Sequence, residues 1–340
     1  MTSKMFLEST STPSVIARQL SQDEDRFHEL GVYLQKNAPA FIATVARGSS
    51  DHACSYAAYM ITAQMGIPVM SLPPSVVTLY QSPLKMRNSL AIGVSQSGKS
   101  PDIVSTFDEC ARSGAKTVAF INVEDSPLAK SAEFFFPLYA GSEQSVAATK
   151  SFIASLAAIA RFVGHWSHNQ ALLDALKRLP EILEVAQKTQ LSQVVELFHN
   201  KKNALVLGRG PSCSIAMEAA LKFKETCSIQ AEAFSSAEVK HGPKALIEPK
   251  YPILMFAPRG PAQKDIVDTA KEMRALGADV LLISTQKSDE ANIVLPCAGD
   301  PWLDPLVIIQ VFHLAVEQLA RERGMNPDNP PHLNKVTLTV

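Results

Sequence analysis

The stretch SLAIGVSQSGKSPDIVSTFDECARSGAKTVAFINV, residues 89–123, decides how the chain is read. It opens on the apolar run 89–95, passes through a hydroxyl-rich turn, and takes up helical periodicity from Asp102 to Ala111. Gly114-Ala115 then leads into a second apolar run, 117–123. Strand, turn, helix and strand in that order make a βαβ unit, whose crossover lays the two strands parallel in one sheet. The runs FIATVA (41–46) and FFFPLYA (134–140) extend the alternation, with further helical periodicity between Ser145 and His165. Residues 12–36 predict one helix, and the polar stretch Asn169–Asn200 predicts a helical connector. The fold class that follows is α/β, a mostly parallel sheet flanked by helices.

The second half repeats the first. Arg47-Gly48-Ser49-Ser50 returns as Arg209-Gly210-Pro211-Ser212, 162 residues later. Ser95-Gln96-Ser97-Gly98 falls over Ala257-Pro258-Arg259-Gly260 at the same offset, and Gly114-Ala115 over Gly277-Ala278 at 163. Three ordered matches at nearly constant spacing predict a duplicated domain rather than a short-period solenoid.

Composition closes several alternatives. Hydrophobic residues make up 46% of the 340 positions and charged residues 19%, a globular balance with apolar mass for two cores. A formal net charge of -1 supplies no basic field for nucleic acid or an anionic membrane. The five cysteines are scattered, with no C-x-x-C pair, so reduced thiols are expected rather than disulfides or zinc. The run 151–163 is interrupted by Arg161 and too short to span a bilayer, and no signal-peptide core is visible, so a cytoplasmic location is expected.

In open α/β sheets, ligands gather at the carboxyl ends of strands, where helix N-termini present unpaired N–H groups. Two loops fit that place: Gly48-Ser49-Ser50 after FIATVA, and Ser95-Gln96-Ser97-Gly98-Lys99-Ser100 after SLAIGV. Their hydroxyls either bind an anion such as a phosphate or cap the following helices, and both uses are open at this point. Neither loop is a Walker loop or a dinucleotide fingerprint, so no nucleotide cofactor is implied. A third loop, 142–150, ends in Thr149-Lys150 as a helix begins and is placed to close over a ligand.

The second half carries the titratable groups. Glu218, Lys222 and Glu225 share one helix face, as a surface ion-pair ladder or as a site. His241 stands before Gly242-Pro243, on a turn where an imidazole can carry protons near neutral pH or serve only structure. The other histidines lack carboxylate or thiol partners at metal spacing, so no metal is expected.

SQSGKS, EQSVAATKSF and ALKFKETCSIQAEAFSSAEVKHGP together resemble the isomerase half of glucosamine-6-phosphate synthase, which is built from two sugar isomerase (SIS) domains. The tail DNPPHLNKVT, 328–337, resembles that family's C-terminal D-x-P-x-x-L-x-K signature followed by Val-Thr. The resemblance runs from about residue 40 to the end. It implies two flavodoxin-like SIS domains at 37–168 and 201–325. A helical segment at 1–36, a connector at 169–200 and a tail at 326–340 complete the chain.

Roles follow only where residues match. The resemblance implies that Ser50, Ser95, Gln96, Ser97 and Ser100 hold the phosphate and neighbouring hydroxyls, with Gly48, Ser49, Val146, Ala147 and Thr149 also lining the substrate. It implies that Glu225 moves a proton between sugar carbons C1 and C2 beside Lys222, that His241 opens the ring, and that Lys335 meets the open-chain carbonyl. It also implies a homodimer with shared active sites, a small sugar phosphate as partner, and no cofactor. Two positions depart from the family: Lys99 replaces its usual glutamate and Ala148 its usual serine, so substrate detail should differ. The synthase's glutaminase domain, with its cysteine nucleophile, is not found in these residues. The expected activity is therefore release of ammonia from glucosamine 6-phosphate, giving fructose 6-phosphate. Galactosamine 6-phosphate, a fructosamine 6-phosphate, plain isomerisation and a non-catalytic sugar-phosphate sensor are the alternatives.

Overall fold

The computed structural model describes residues 2–335 and Thr337; Val336 of the tail signature lies outside the described residues. The chain divides into two compact units that are not contiguous blocks. One comprises Ser14–Glu143, Lys150–Lys177 and Asn334–Val340; the other comprises Met1–Pro13, Gln144–Thr149 and Arg178–Leu333.

The first unit is built on β1 (Phe41–Val45), β2 (Val69–Ser71), β3 (Ser89–Ser95), β4 (Lys116–Ile121) and β5 (Phe134–Pro137). These pair in the order β2-β1-β3-β4-β5, all parallel. β3 pairs on both sides along its length and is buried at six consecutive positions, as a continuous apolar run requires in a sheet covered on both faces. β2 escapes sequence reading because it is three residues long, half exposed, and sits at the edge.

Ahead of this sheet run α1 (Lys4–Thr10), α2 (Thr12–Leu20) and α3 (Glu24–Lys36). The single helix expected over 12–36 is therefore broken. Asp23 takes a left-handed φ of 57°, which an α-helix cannot accommodate. α4 (Ser49–Met65), the short α5 (Ser75–Thr78), α6 (Pro101–Arg112), α7 (Pro127–Ser131) and α8 (Lys150–Trp166) follow. The helical pattern read from Ser145 starts only at Lys150. α8 packs against α3 and α4 and is buried at every position, so its sequence is apolar nearly all round.

The connector contains α9 (Gln170–Ala186) and α10 (Ser192–Phe198). The second unit's sheet holds β6 (Asn203–Gly208), β7 (Gln230–Ser235), β8 (Pro252–Ala257), β9 (Asp279–Ser284) and β10 (Ile293–Val294), in the order β10-β9-β8-β6-β7. Read from the other edge this is the first sheet's order, so the duplication seen in sequence is a duplication of topology. It is also the flavodoxin-like strand order. α11 (Ser212–Cys227), α12 (Gln263–Ala275) and α13 (Asp304–Glu322) complete the unit. α11 packs against β6, β7 and α13.

All five cysteines are free, and three are buried. Burial raises the thiols of Cys54, Cys110 and Cys227 above their ordinary value, so they stay protonated. Among the described residues no group of three His, Cys, Asp or Glu side chains could hold a metal ion, and no helix is long and apolar enough to cross a membrane.

Candidate functional site

The hydroxyl loops of the first unit occupy the carboxyl ends of adjacent strands β1 and β3. Gly48 precedes α4 with φ 53°, a conformation glycine adopts without strain, and Ser49 and Ser50 open the helix. After β3 the loop folds on its own hydroxyls. Gly98 N donates to Ser95 Oγ at 2.9 Å, and Lys99 N to Ser97 Oγ at 3.3 Å. Gly98 has φ 63°, and a Cβ there would lie 2.8 Å from Ser126 Cβ, so only glycine fits the turn. Ser100 holds the N-cap position of α6 but makes no side-chain capping bond. Its hydroxyl donates instead to the carbonyl of Thr337 in the tail, at 3.3 Å. For Ser100 the capping alternative is therefore set aside.

Arg47 joins the two loops. Its Nε and Nη2 each lie 3.1 Å from Oδ2 of Asp102, a buried carboxylate in the first turn of α6. The second unit repeats the strut, with Arg209 Nη1 3.0 Å from Asp265 Oδ2 in the first turn of α12. The repeat keeps the scaffold and changes the loop. At the end of β8, Ala257-Pro258-Arg259-Gly260 replaces the serines. The Arg259 guanidinium is gripped by buried Asp304 at 2.7 and 2.9 Å. The hydroxyl-rich loop thus belongs to the first sheet alone of the two.

Glu8 holds the loop before α8 and Glu143 binds the first turn of that helix; both are buried carboxylates, and neither was singled out by the sequence pattern. Glu8, on α1, accepts from Gln144 N, Ser145 N and Ser145 Oγ. Val146 N donates to Asp328 O at 3.1 Å, and the Asp328 carboxylate takes the free N–H groups of Lys4 and Met5 at the start of α1, both at 2.8 Å. Val146 and Ala148 are half exposed. Ala147 and Thr149 have fully buried side chains, so they shape the loop.

Glu143 is enclosed at the N-terminus of α8, where Ser151 N and Ser151 Oγ donate to it at 3.1 and 2.6 Å. Lys335 Nζ donates to its Oε2 at 2.9 Å. Burial alone would raise this carboxyl. The Lys335 ammonium and the Ser151 donors outweigh it and hold the group below the usual carboxylate value. Within the first unit, Lys335 and Thr337 of the tail are therefore tied to Glu143 and to Ser100 respectively.

In the second unit α11 brings Glu218, Lys222 and Glu225 together. Lys222 Nζ lies 3.1 Å from Glu218 Oε1 and 2.6 Å from Glu225 Oε2. Lys222 and Glu218 are fully buried, which excludes the surface ladder, while the Glu225 side chain keeps 18% of its surface. Desolvation pulls the lysine down, but the two carboxylates more than offset it and hold it above its ordinary value. The two carboxylates thus favour the charged form of Lys222. His241 ends a 3-10 turn, Glu238–His241, and is exposed next to Gly242, whose φ is 141°.

Two parallel five-stranded sheets of one order, with hydroxyl-rich loops at the carboxyl edge of the first, define a tandem doubly wound α/β protein. Residues 38–163 and 197–292 match the SIS domain, and the chain belongs to the SIS domain family. The glutamine–fructose-6-phosphate aminotransferase (isomerizing) of Thermus thermophilus is 30% identical over 350 aligned positions, covering 97% of this chain but 58% of the relative. A solved structure from Silicibacter pomeroyi, provisionally called a phosphosugar isomerase, is 38% identical with a TM-score of 0.90, over 96% of this chain and all of that one. The C-terminal domain of glucosamine-fructose-6-phosphate aminotransferase from Francisella tularensis is 26% identical with a TM-score of 0.87, over 97% and 99% of the two chains.

Proposed function

We propose that this chain deaminates glucosamine 6-phosphate, releasing ammonium and fructose 6-phosphate. The observation that carries the reading is the buried lysine between two glutamates on α11. A half-open carboxylate beside a fixed cation suits removal of a proton α to a carbonyl, because the cation stabilises the charge that develops. The Ser95–Ser100 loop and the Gly48-Ser49-Ser50 turn hold the phosphate in this scheme, at the end of a sheet suited to anions. The likeness to an isomerizing aminotransferase for fructose 6-phosphate supports the substrate class.

His241 assists opening of the ring, exposing the C1 aldehyde. Glu225 takes the proton from C2, and the electron pair forms the C1–C2 enolamine. Returning the proton to C1 leaves a C2 imine, with C1 now a hydroxymethyl carbon. Water adds to C2, the C–N bond breaks, and the nitrogen departs as ammonium. Lys335 stands by the carbonyl oxygen as a positive charge. The active assembly is a homodimer in this reading, and neither a metal nor a redox cofactor takes part.

The purified chain is incubated with glucosamine 6-phosphate, and ammonia and fructose 6-phosphate are quantified. Glu225→Gln should lower the rate by roughly 10²–10⁴-fold, the usual contribution of a general base. Absence of ammonia, with wild type and Glu225→Gln indistinguishable, rejects the reading. Solvent deuterium entering the sugar without ammonia release assigns the chain to plain isomerisation instead.

A further inference from the structure

We propose that Glu143 positions Lys335, so that a buried carboxylate at the start of α8 fixes where the tail presents its amine. The inference rests on the reading above, in which Lys335 meets the open-chain carbonyl.

Glu143 is an anchor with little freedom of its own. Its side chain is fully enclosed, and Ser151 holds it through both backbone and hydroxyl. Lys335 is the opposite case: a flexible four-carbon stem at the chain's end, 23% exposed. The 2.9 Å bond joins a rigid acceptor to a mobile donor, so the carboxylate selects the lysine's conformation. A second tether lies two residues on, where Ser100 of the anion loop donates to the Thr337 carbonyl. The tail that carries the amine is thereby tied at a second point to the loop assigned to the phosphate. Glu143 itself touches no reacting atom in this scheme; it acts through Lys335.

The competing role is purely structural, since Glu143 also serves the buried N–H of Ser151 in the first turn of α8. A double-mutant cycle on the full chain separates the two. Glu143→Gln should lower kcat for ammonia release by roughly 10–100-fold, as misplacement of a reacting group does, with KM changed less than about 3-fold. Glu143→Asp should recover part of the loss. Combined with Lys335→Met, Glu143→Gln should add less than about 2-fold to the single lysine variant, because its effect passes through the amine. Losses that multiply overturn the proposal.

A second measurement needs no turnover. Acetylation of Lys335 by N-hydroxysuccinimidyl acetate, followed by peptide mass spectrometry, is compared with exposed Lys36 as internal standard. The Lys335-to-Lys36 rate ratio should rise at least about 3-fold in Glu143→Gln, since the amine loses its buried partner. An unchanged ratio overturns the proposal. If the wild type is inert toward every amino sugar phosphate, the functional reading fails, and the acetylation ratio still decides this one.

Discussion

Lys222 Nζ lies 2.6 Å from Glu225 Oε2, within one turn of α11 and with the lysine side chain wholly buried. The lysine is also the counter-charge of Glu218, whose side chain has no exposed surface. Removing it takes the counter-charge away from a buried carboxylate. Lys222→Met should therefore lose about 3–5 kcal/mol of unfolding free energy, the cost of breaking a buried pair from one side. Urea unfolding with a common m-value checks this. A loss below about 1 kcal/mol would show that water or rearrangement replaces the charge.

The acid limb of the stability curve should report Glu143. Its carboxyl is held below its ordinary value of 4.5 in the folded chain, where Lys335 and Ser151 favour the charged form over the burial that opposes it. The folded state thus binds this proton less readily than the unfolded state. The stabilisation is complete above the ordinary value and drains away as pH falls through the lowered one. Wild type should lose more stability than Glu143→Gln as the pH is lowered below 4.5. Parallel curves for the two proteins would contradict the assignment.

Much of this architecture was open to sequence reading. The run 89–123 has apolar strands, a helical period and a glycine turn that all require the same βαβ unit, and three sequence matches carried the duplication to the second sheet. What stayed hidden shares a physical cause. Glu8 and Glu143 are carboxylates whose partners come from folding: Glu8 meets Ser145 at a separation of 137 residues, and Glu143 meets Lys335 at 192. No local period records such pairs. Glu218 was visible on its helix face, but an exposed ladder and a buried triad have the same spacing. Only burial separates them. The break at Asp23 was similarly illegible, because a left-handed aspartate leaves no compositional mark.

Gly98 tests the shape of the Ser95–Ser100 loop. Its φ of 63° is costly for any residue with a Cβ, by about 1–2 kcal/mol, and the added methyl carbon would meet Ser126 Cβ at 2.8 Å. Gly98→Ala should lower stability by about 1–3 kcal/mol, since both costs act together. Calorimetry with fructose 6-phosphate should show affinity reduced by at least about 10-fold, because the backbone N–H groups of the turn are redirected. Pairing it with Ser126→Gly relieves the contact but leaves the φ penalty, so recovery should be partial. Full recovery would mean the backbone conformation carries no cost.

Glu8 offers the sharpest test of whether the N-terminal helix belongs to the candidate site. Its carboxylate is 8% exposed and accepts three donors from Gln144 and Ser145, at the head of the loop that carries Val146 and Thr149. Glu8→Gln keeps the shape but turns one oxygen into an N–H₂ group facing those donors. The expected loss is about 1.5–3 kcal/mol, the range for a hydrogen bond to a charged group. Exposed Glu29→Gln on α3 should change stability by no more than about 0.5 kcal/mol and serves as the control. The stability loss alone would mark Glu8 as scaffold. A matching rise in KM for the sugar phosphate, with kcat little altered, would mean that the carboxylate holds the loop in its binding shape, because uniform substrate binding is then what is lost. An unchanged KM would separate the loop's order from ligand capture and leave α1 with a structural part only.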